Sequence, residues 1–371
     1  MTLKRCMAAL LSVILLLGLF GCGSKETEKP QATPQATPEA KAPSLEELAK
    51  KEGKVTVLSP SKGDVMTKIG EGFKAKYGIE VENIYMGSTQ IINKIRAEKD
   101  NPTGDVWIGA GGIIPFLVAK KDGLLDPYEI KGYKYPEKAG EIVLRDSEHY
   151  FSGAWVLTLG WGYNTTKVKP ADVPNDFTGF LDPKWKNQVE MADPAASGTA
   201  VLFIMSEILK YKAAGKTEDQ AWADLAKFAA QVKRFPESGG GPSQDASKGD
   251  ILVGMAFDQQ TYLLKAKKET IDWVLPNNTP VLIDPMGLVK KGPHPNAGKL
   301  FMEYVASTEV QQIIATDGPY LPVRSDVKLN PVFNHTFDDY SKKAMKLDLA
   351  WLAENFDRVQ QKWRTDIATK K

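Results

Sequence analysis

The sequence predicts an α/β protein of two lobes, and three observations carry that expectation. Short apolar strands alternate with helical patterns from about residue 55 onward, the order that builds a largely parallel sheet covered by helices. At 371 residues the chain exceeds one ordinary core and fits about two domains. Five turns rich in Gly, Ser and Thr stand at strand-to-helix junctions, where open α/β sheets gather their ligands.

The N-terminal residues read as a targeting segment. Lys4 and Arg5 give a positive start, and residues 7–20 are an apolar run too short for an ordinary membrane span. Leu19-Phe20-Gly21-Cys22 resembles a bacterial lipobox, with Phe20 bulkier than the pattern prefers. Cleavage would leave a lipidated Cys22 as the new N-terminus, so 1–21 is expected to be signal peptide. Residues 22–43 carry Gln-Ala-Thr-Pro twice and little that can be buried, which makes them a tether. Beyond Cys6 and Cys22 the chain has no cysteine, so the folded part holds no disulfide, thiolate metal site or thiol nucleophile.

The elements follow in order. Ser44 caps a helix over 45–51, with Glu47 placed for a capping box. Residues 55–58 form a strand, followed by Ser59-Pro60-Ser61 and a helix over 64–76. A strand over 79–85 leads to Gly87-Ser88-Thr89 and an apolar-faced helix. Residues 105–108 make a third strand, closed by Gly109-Ala110-Gly111-Gly112. Residues 157–164 form a glycine-punctuated strand suited to cross between lobes. A strand over 188–191 then runs into Asp193-Pro194-Ala195-Ala196-Ser197-Gly198-Thr199 and an apolar helix to residue 211. A helix over 218–230, the turn Gly240-Gly241-Pro242-Ser243, and a strand over 252–257 ending in Asp258 come next. A strand over 286–290, a helix over 297–307 and a mostly helical tail over 338–367 complete the chain.

The turn at Ser197 organises the functional reading. A helix start leaves N–H groups without partners, its dipole favours an anion, and Gly198 lets a ligand approach the backbone. Ser-Gly-Thr is also an ordinary cap; its weight comes from the turns that share its chemistry. Ser59, Ser61, Ser88, Thr89, Gly111, Gly112, Ser197, Gly198, Thr199 and Ser243 are therefore the candidate anion contacts. Asp258, at a strand's carboxyl end, is a candidate reader of an amine or hydroxyls at the ligand's other end, or else a helix cap.

Other chemistries find little support. Lys+Arg 48 against Asp+Glu 46 leaves a near-neutral chain, which argues against a nucleic-acid partner. The three histidines lack metal-ligand spacing, and no phosphate loop, nucleophile elbow or complete dinucleotide fingerprint occurs. No metal or cofactor is expected. A secreted enzyme using Asp258, Asp193 or Asp284 as acid or base stays open as an alternative.

Several runs resemble the solute-binding proteins of bacterial ABC importers. They include Asp105-Val106-Trp107, Gly123-Leu124-Leu125-Asp126-Pro127-Tyr128, Leu181-Asp182-Pro183-Lys184-Trp185-Lys186, Ala192-Asp193-Pro194 to Thr199, and Asn296-Ala297-Gly298-Lys299-Leu300-Phe301. The resemblance covers nearly all of residues 52–325 and implies the type II periplasmic-binding fold: two α/β lobes, two crossover strands and a ligand cleft. It places lobe 1 at 44–163 and 276–335, lobe 2 at 164–275, and C-terminal helices at 336–371. It implies a non-enzymatic monomer, lipid-anchored outside the cytoplasmic membrane, delivering a small solute to a permease with its ATPase subunits. Iron binders of this branch carry adjacent tyrosines after the strand that corresponds to 252–257. Asp258-Gln259-Gln260-Thr261-Tyr262 stands there instead, which disfavours iron while Tyr262 and Asp258 keep a cation open. The hydroxyl- and glycine-rich turns are closer to the phosphate- and phosphonate-binding members.

Overall fold

The computed structural model describes residues 42–368 except 61–63, 134 and 135. The expected signal peptide, Cys22, nearly all of the expected tether and Ser61 lie outside the described residues.

The first half alternates as its pattern predicts: α1 (Leu45–Glu52), β1 (Lys54–Ser59), α2 (Asp64–Tyr77), β2 (Glu80–Tyr85), α3 (Ser88–Ala97), β3 (Val106–Ile108) and α4 (Ile114–Lys121). Ser44 and Glu47 close the expected capping box on α1. Short strands β4 (Leu125–Asp126), β5 (Lys138–Ala139) and β6 (Ile142–Val143) precede the long β7 (Ser152–Asn164). Then come β8 (Val189–Glu190), α5 (Gly198–Ala213), α6 (Glu218–Gln231), α7 (Gly241–Lys248), β9 (Val253–Phe257), α8 (Asp258–Ala266) and β10 (Ile271–Val274). The chain returns through β11 (Val281–Val289), α9 (Pro295–Val305), α10 (Thr308–Thr316) and β12 (Leu321–Pro322), and ends in α11 (Phe337–Lys343) and α12 (Leu349–Asp366).

The main sheet runs β2-β1-β3-β11-β7-β9-β8. β1 pairs in parallel with β2 and β3, and β8 with β9, while β11 and β7 lie antiparallel between the two groups. β7 joins them. Its residues 152–158 pair with β11, and residues 159–163 pair with β9. Thirteen residues at ~3.4 Å each reach about 40 Å, enough to serve both groups. The 275–280 segment is the second link: Pro280 accepts from the Thr158 hydroxyl (2.9 Å), and the Thr279 hydroxyl donates to the Leu159 carbonyl (2.8 Å).

Each half has its own aromatic packing. Trp107 stacks on Phe116 with centroids 4.2 Å apart, and Phe73 packs on Phe301 and Tyr304. In the other half Phe180 and Phe203 surround Trp161. α12 presents Leu352, Val359 and Trp363 inward and packs on both α4 and α5.

Two expectations need correction. The strand expected from residue 157 begins at Ser152 and the one from residue 286 begins at Val281, because mutual pairing extends both. The Gly240 turn is not a strand-to-helix junction: it follows α6 and a single bridge between Val189 and Val232.

Candidate functional site

The best-built candidate for an anion site is the start of α5. Asp193 shapes the turn before it: its carboxylate accepts from Ala195 N–H (2.8 Å), and its carbonyl accepts from Ala196 (3.0 Å) and Ser197 (2.8 Å). Ser197 is extended (φ −117°, ψ 116°) and makes no side-chain cap bond. The first helical bond runs from Val201 N–H to the Ser197 carbonyl, so the N–H groups of Gly198, Thr199 and Ala200 have no acceptor inside the helix. Ser197 and Thr199 are only 6% and 9% exposed, yet both stand on the cleft wall. Gly198 is exposed there, and a Cβ added to it would meet nothing within 4 Å. Gly239 closes over this end, because a Cβ on it would lie 2.6 Å from Thr199 Oγ1 and 3.2 Å from Ser197 Oγ.

The opposite wall comes from the first half. Gly87 caps α3, and its N–H donates to Gln90 Oε1 at 2.9 Å. The first α3 bond is Ile91 N–H to the Gly87 carbonyl, which leaves the amides of Ser88, Thr89 and Gln90 without helix acceptors. Ser88 lines the cleft with Pro60, Gly111 and Gly112. The space between these walls is about 690 Å³, within the usual range for small-molecule sites. Two helix N-termini from different halves therefore face one cavity, and each attracts negative charge.

The glycine loop behaves differently from expectation. The amides of Ala110 and Gly112 donate to Asp284 Oδ1 at 2.6 and 3.1 Å, and Trp155 Nε1 donates to Oδ2 at 3.1 Å. Asp284 is 4% exposed, and burial pushes its pKa up to about 6 against the pull of these donors. Gly111 and Gly112 border the cleft, but the Gly112 amide is committed to Asp284.

Three further candidates are corrected. Ser59 is fully buried at the end of β1, where its carbonyl accepts from Met86 N–H; Pro60, not Ser59, reaches the wall. Ser243 is fully buried on α7 and shares a 3.0 Å hydrogen bond with Thr261. Asp258 does not face the cleft: it is completely buried and accepts from Thr158 N–H (3.2 Å) and Tyr340 O–H (2.7 Å). Burial pushes its pKa up to about 7 although those donors favour the charged form. It fastens α11 to the crossover strand β7.

The charged residues at the cleft were not expected. Arg96 lines it but donates twice to Asp122 (2.8 and 2.6 Å), while the exposed Glu237 and Asp357 stand at its margin. α12 also supplies Leu352 and Phe356. Its i, i+3, i+4 apolar spacing announced a buried face; nothing local announced which surface it would cover. Among the described residues no three His, Cys, Asp or Glu side chains are placed to hold a metal ion, and Tyr262 is wholly buried.

A model of the bacterial extracellular solute-binding protein family matches residues 68–370. A putative 2-aminoethylphosphonate-binding periplasmic protein of Salmonella paratyphi A is 26% identical over 265 residues, covering 69% of this chain and 73% of its own. AfuA from Actinobacillus pleuropneumoniae, solved with fructose-6-phosphate, aligns with a TM-score of 0.74 at 24% identity, over 85% of this chain and 99% of its own. Iron-bound HitA from Pseudomonas aeruginosa aligns with a TM-score of 0.71 at 19% identity, over 83% and 98%. These likenesses establish the two-lobed periplasmic-binding fold.

Proposed function

Because the chain belongs to the bacterial extracellular solute-binding proteins, we propose that its cleft captures a small solute bearing a phosphate or phosphonate group. One observation carries this reading: the starts of α3 and α5 face a single cavity from opposite halves, and Ser197 and Thr199 stand there nine-tenths buried with no cap bond from Ser197. The phosphonate named for the Salmonella relative and the sugar phosphate in AfuA support the choice of anion. Closing two halves over the solute would present a bound-state surface to a permease and its ATPase subunits. The role is transport binding without chemistry: Asp258 and Asp284 are both occupied by donors of the fold.

Among the described residues no helix is long and apolar enough to cross a membrane. Attachment is assigned to a lipid on Cys22, with the tether holding the body beside its permease. Sequencing the mature N-terminus checks this. A start at Cys22 that is lost in Cys22→Ala is expected, and a mature start elsewhere rejects the anchor.

Native mass spectrometry of the purified protein tests the solute. A phosphorus-containing molecule released intact is expected; bound iron without such a molecule would favour the cation reading, and chemical turnover of the solute would favour an enzyme.

A further inference from the structure

The cleft has a third wall that belongs to neither helix start. α12 packs on α4 and α5, one from each half. Gln360 Nε2 donates to the Pro194 carbonyl at 2.9 Å and Arg364 to the Ala195 carbonyl at 3.2 Å, which ties α12 to the turn that presents Ser197. From this position Leu352 and the half-buried Phe356 line the cavity that Ile92 and Val118 line from the first half. The cavity is thus anion-attracting at the starts of α3 and α5 and mainly apolar along α12, where Leu352, Ala353 and Phe356 stand beside the single carboxylate of Asp357. A volume of about 690 Å³ is several times what one oxyanion fills, so much of the space is left for whatever the anion is attached to.

We propose that α12 is the selectivity wall of the cleft, and that the preferred solute joins one phosphate or phosphonate group to an apolar, hydrocarbon or aromatic body that packs on Phe356. This rests on the anion reading above and adds the nature of the other end. Free oxyanions leave the apolar wall wet, which forfeits the gain from covering apolar surface. Polyanions bring a second negative group toward Glu237 and Asp357 at the margin, where like charge opposes it. Arg96 does not offset these carboxylates, being paired with Asp122. Phe356 is therefore a specificity-determining residue on a helix that Gln360 and Arg364 fasten to the 193–197 turn.

Titration calorimetry with methyl phosphate, phenyl phosphate and methylenebisphosphonate tests this on the full-length protein, alongside Phe356→Ala. In the unsubstituted protein phenyl phosphate is expected to bind at least tenfold tighter than methyl phosphate, and the bisphosphonate weaker than either. Phe356→Ala should remove most of the phenyl advantage and leave methyl phosphate within about twofold. Equal affinity for the two monoesters, or equal weakening of both in Phe356→Ala, overturns the proposal. Ala353→Phe is the second variant, since Ala353 lines the same wall: filling it should cost phenyl phosphate more than methyl phosphate, and the reverse order counts against the wall. If methyl phosphate binds and phenyl phosphate gains nothing, only the selectivity wall fails. If no phosphate compound binds, the anion site fails and the wall falls with it.

Discussion

Ser197 makes no cap bond to its own helix, so its removal changes the cleft and leaves the start of α5 in place. On the proposed function, the attraction there is spread over three backbone amides and the helix dipole, with the hydroxyl adding one bond. Ser197→Ala is therefore expected to weaken solute binding by about 0.5–1.5 kcal/mol, with an unchanged unfolding midpoint in the absence of solute. A hundredfold loss in calorimetry would mean that the hydroxyl, not the amides, carries the anion. Asp258 makes a different prediction. Its pKa of about 7, raised from 3.8 by burial, means that the folded state holds a proton which the unfolded state releases near pH 4. The stability so gained is present below pH 4 and is lost as pH rises through about 7. Asp284, raised to about 6, acts in the same direction. Asp258→Asn keeps an acceptor for Thr158 N–H and offers Tyr340 a donor in place of the carboxylate. Its unfolding midpoint should fall less between pH 5 and pH 8 than that of the unsubstituted protein, by an amount on the order of a few kcal/mol in stability. A parallel pH profile in the two proteins would show that Asp258 does not titrate in this window.

At the scale of elements, helix ends were the features most open to sequence reasoning. A cap is written within four residues, so Ser44 with Glu47, and Gly-Ser-Thr before an apolar run, announce helix starts wherever they occur. The partners of buried charges are not local. Asp258 finds Tyr340 82 residues away, and Asp284 finds Ala110 174 residues away; such contacts turned an expected ligand group into a strut and diverted an expected ligand amide. Glu52 shows the same thing at the junction of two helices. Its carboxylate accepts from Asn296 N–H (3.2 Å), Asn296 Nδ2 (2.7 Å) and Ala297 N–H (2.7 Å) at the start of α9. Glu52→Ala removes a charge from a helix N-terminus and leaves these donors to water, which should destabilise the fold by about 1–3 kcal/mol. Denaturant unfolding checks the loss, and solute affinity should be unchanged because α1 and α9 do not line the cleft.

For the whole molecule, strand-helix alternation made the α/β class legible, and the length of β7 and its pairing on both sides explain how one strand serves two halves. What remained hidden was the path of α12, whose apolar stripe fits many surfaces and is placed by distant contacts with α4, α5 and the 193–197 turn. The central claim is that an anion lies between the starts of α3 and α5 with backbone amides as its main partners. Gly198 offers the most direct access to it, since it lines the cleft and a Cβ added there meets no other atom within 4 Å. Calorimetry of Gly198→Val with the solute that co-purifies with the unsubstituted protein is the decisive measurement. Normal folding is expected, with affinity reduced at least tenfold by blocked approach to the amides; a folded Gly198→Val protein that binds the solute as tightly as the unsubstituted one would contradict an anion held there.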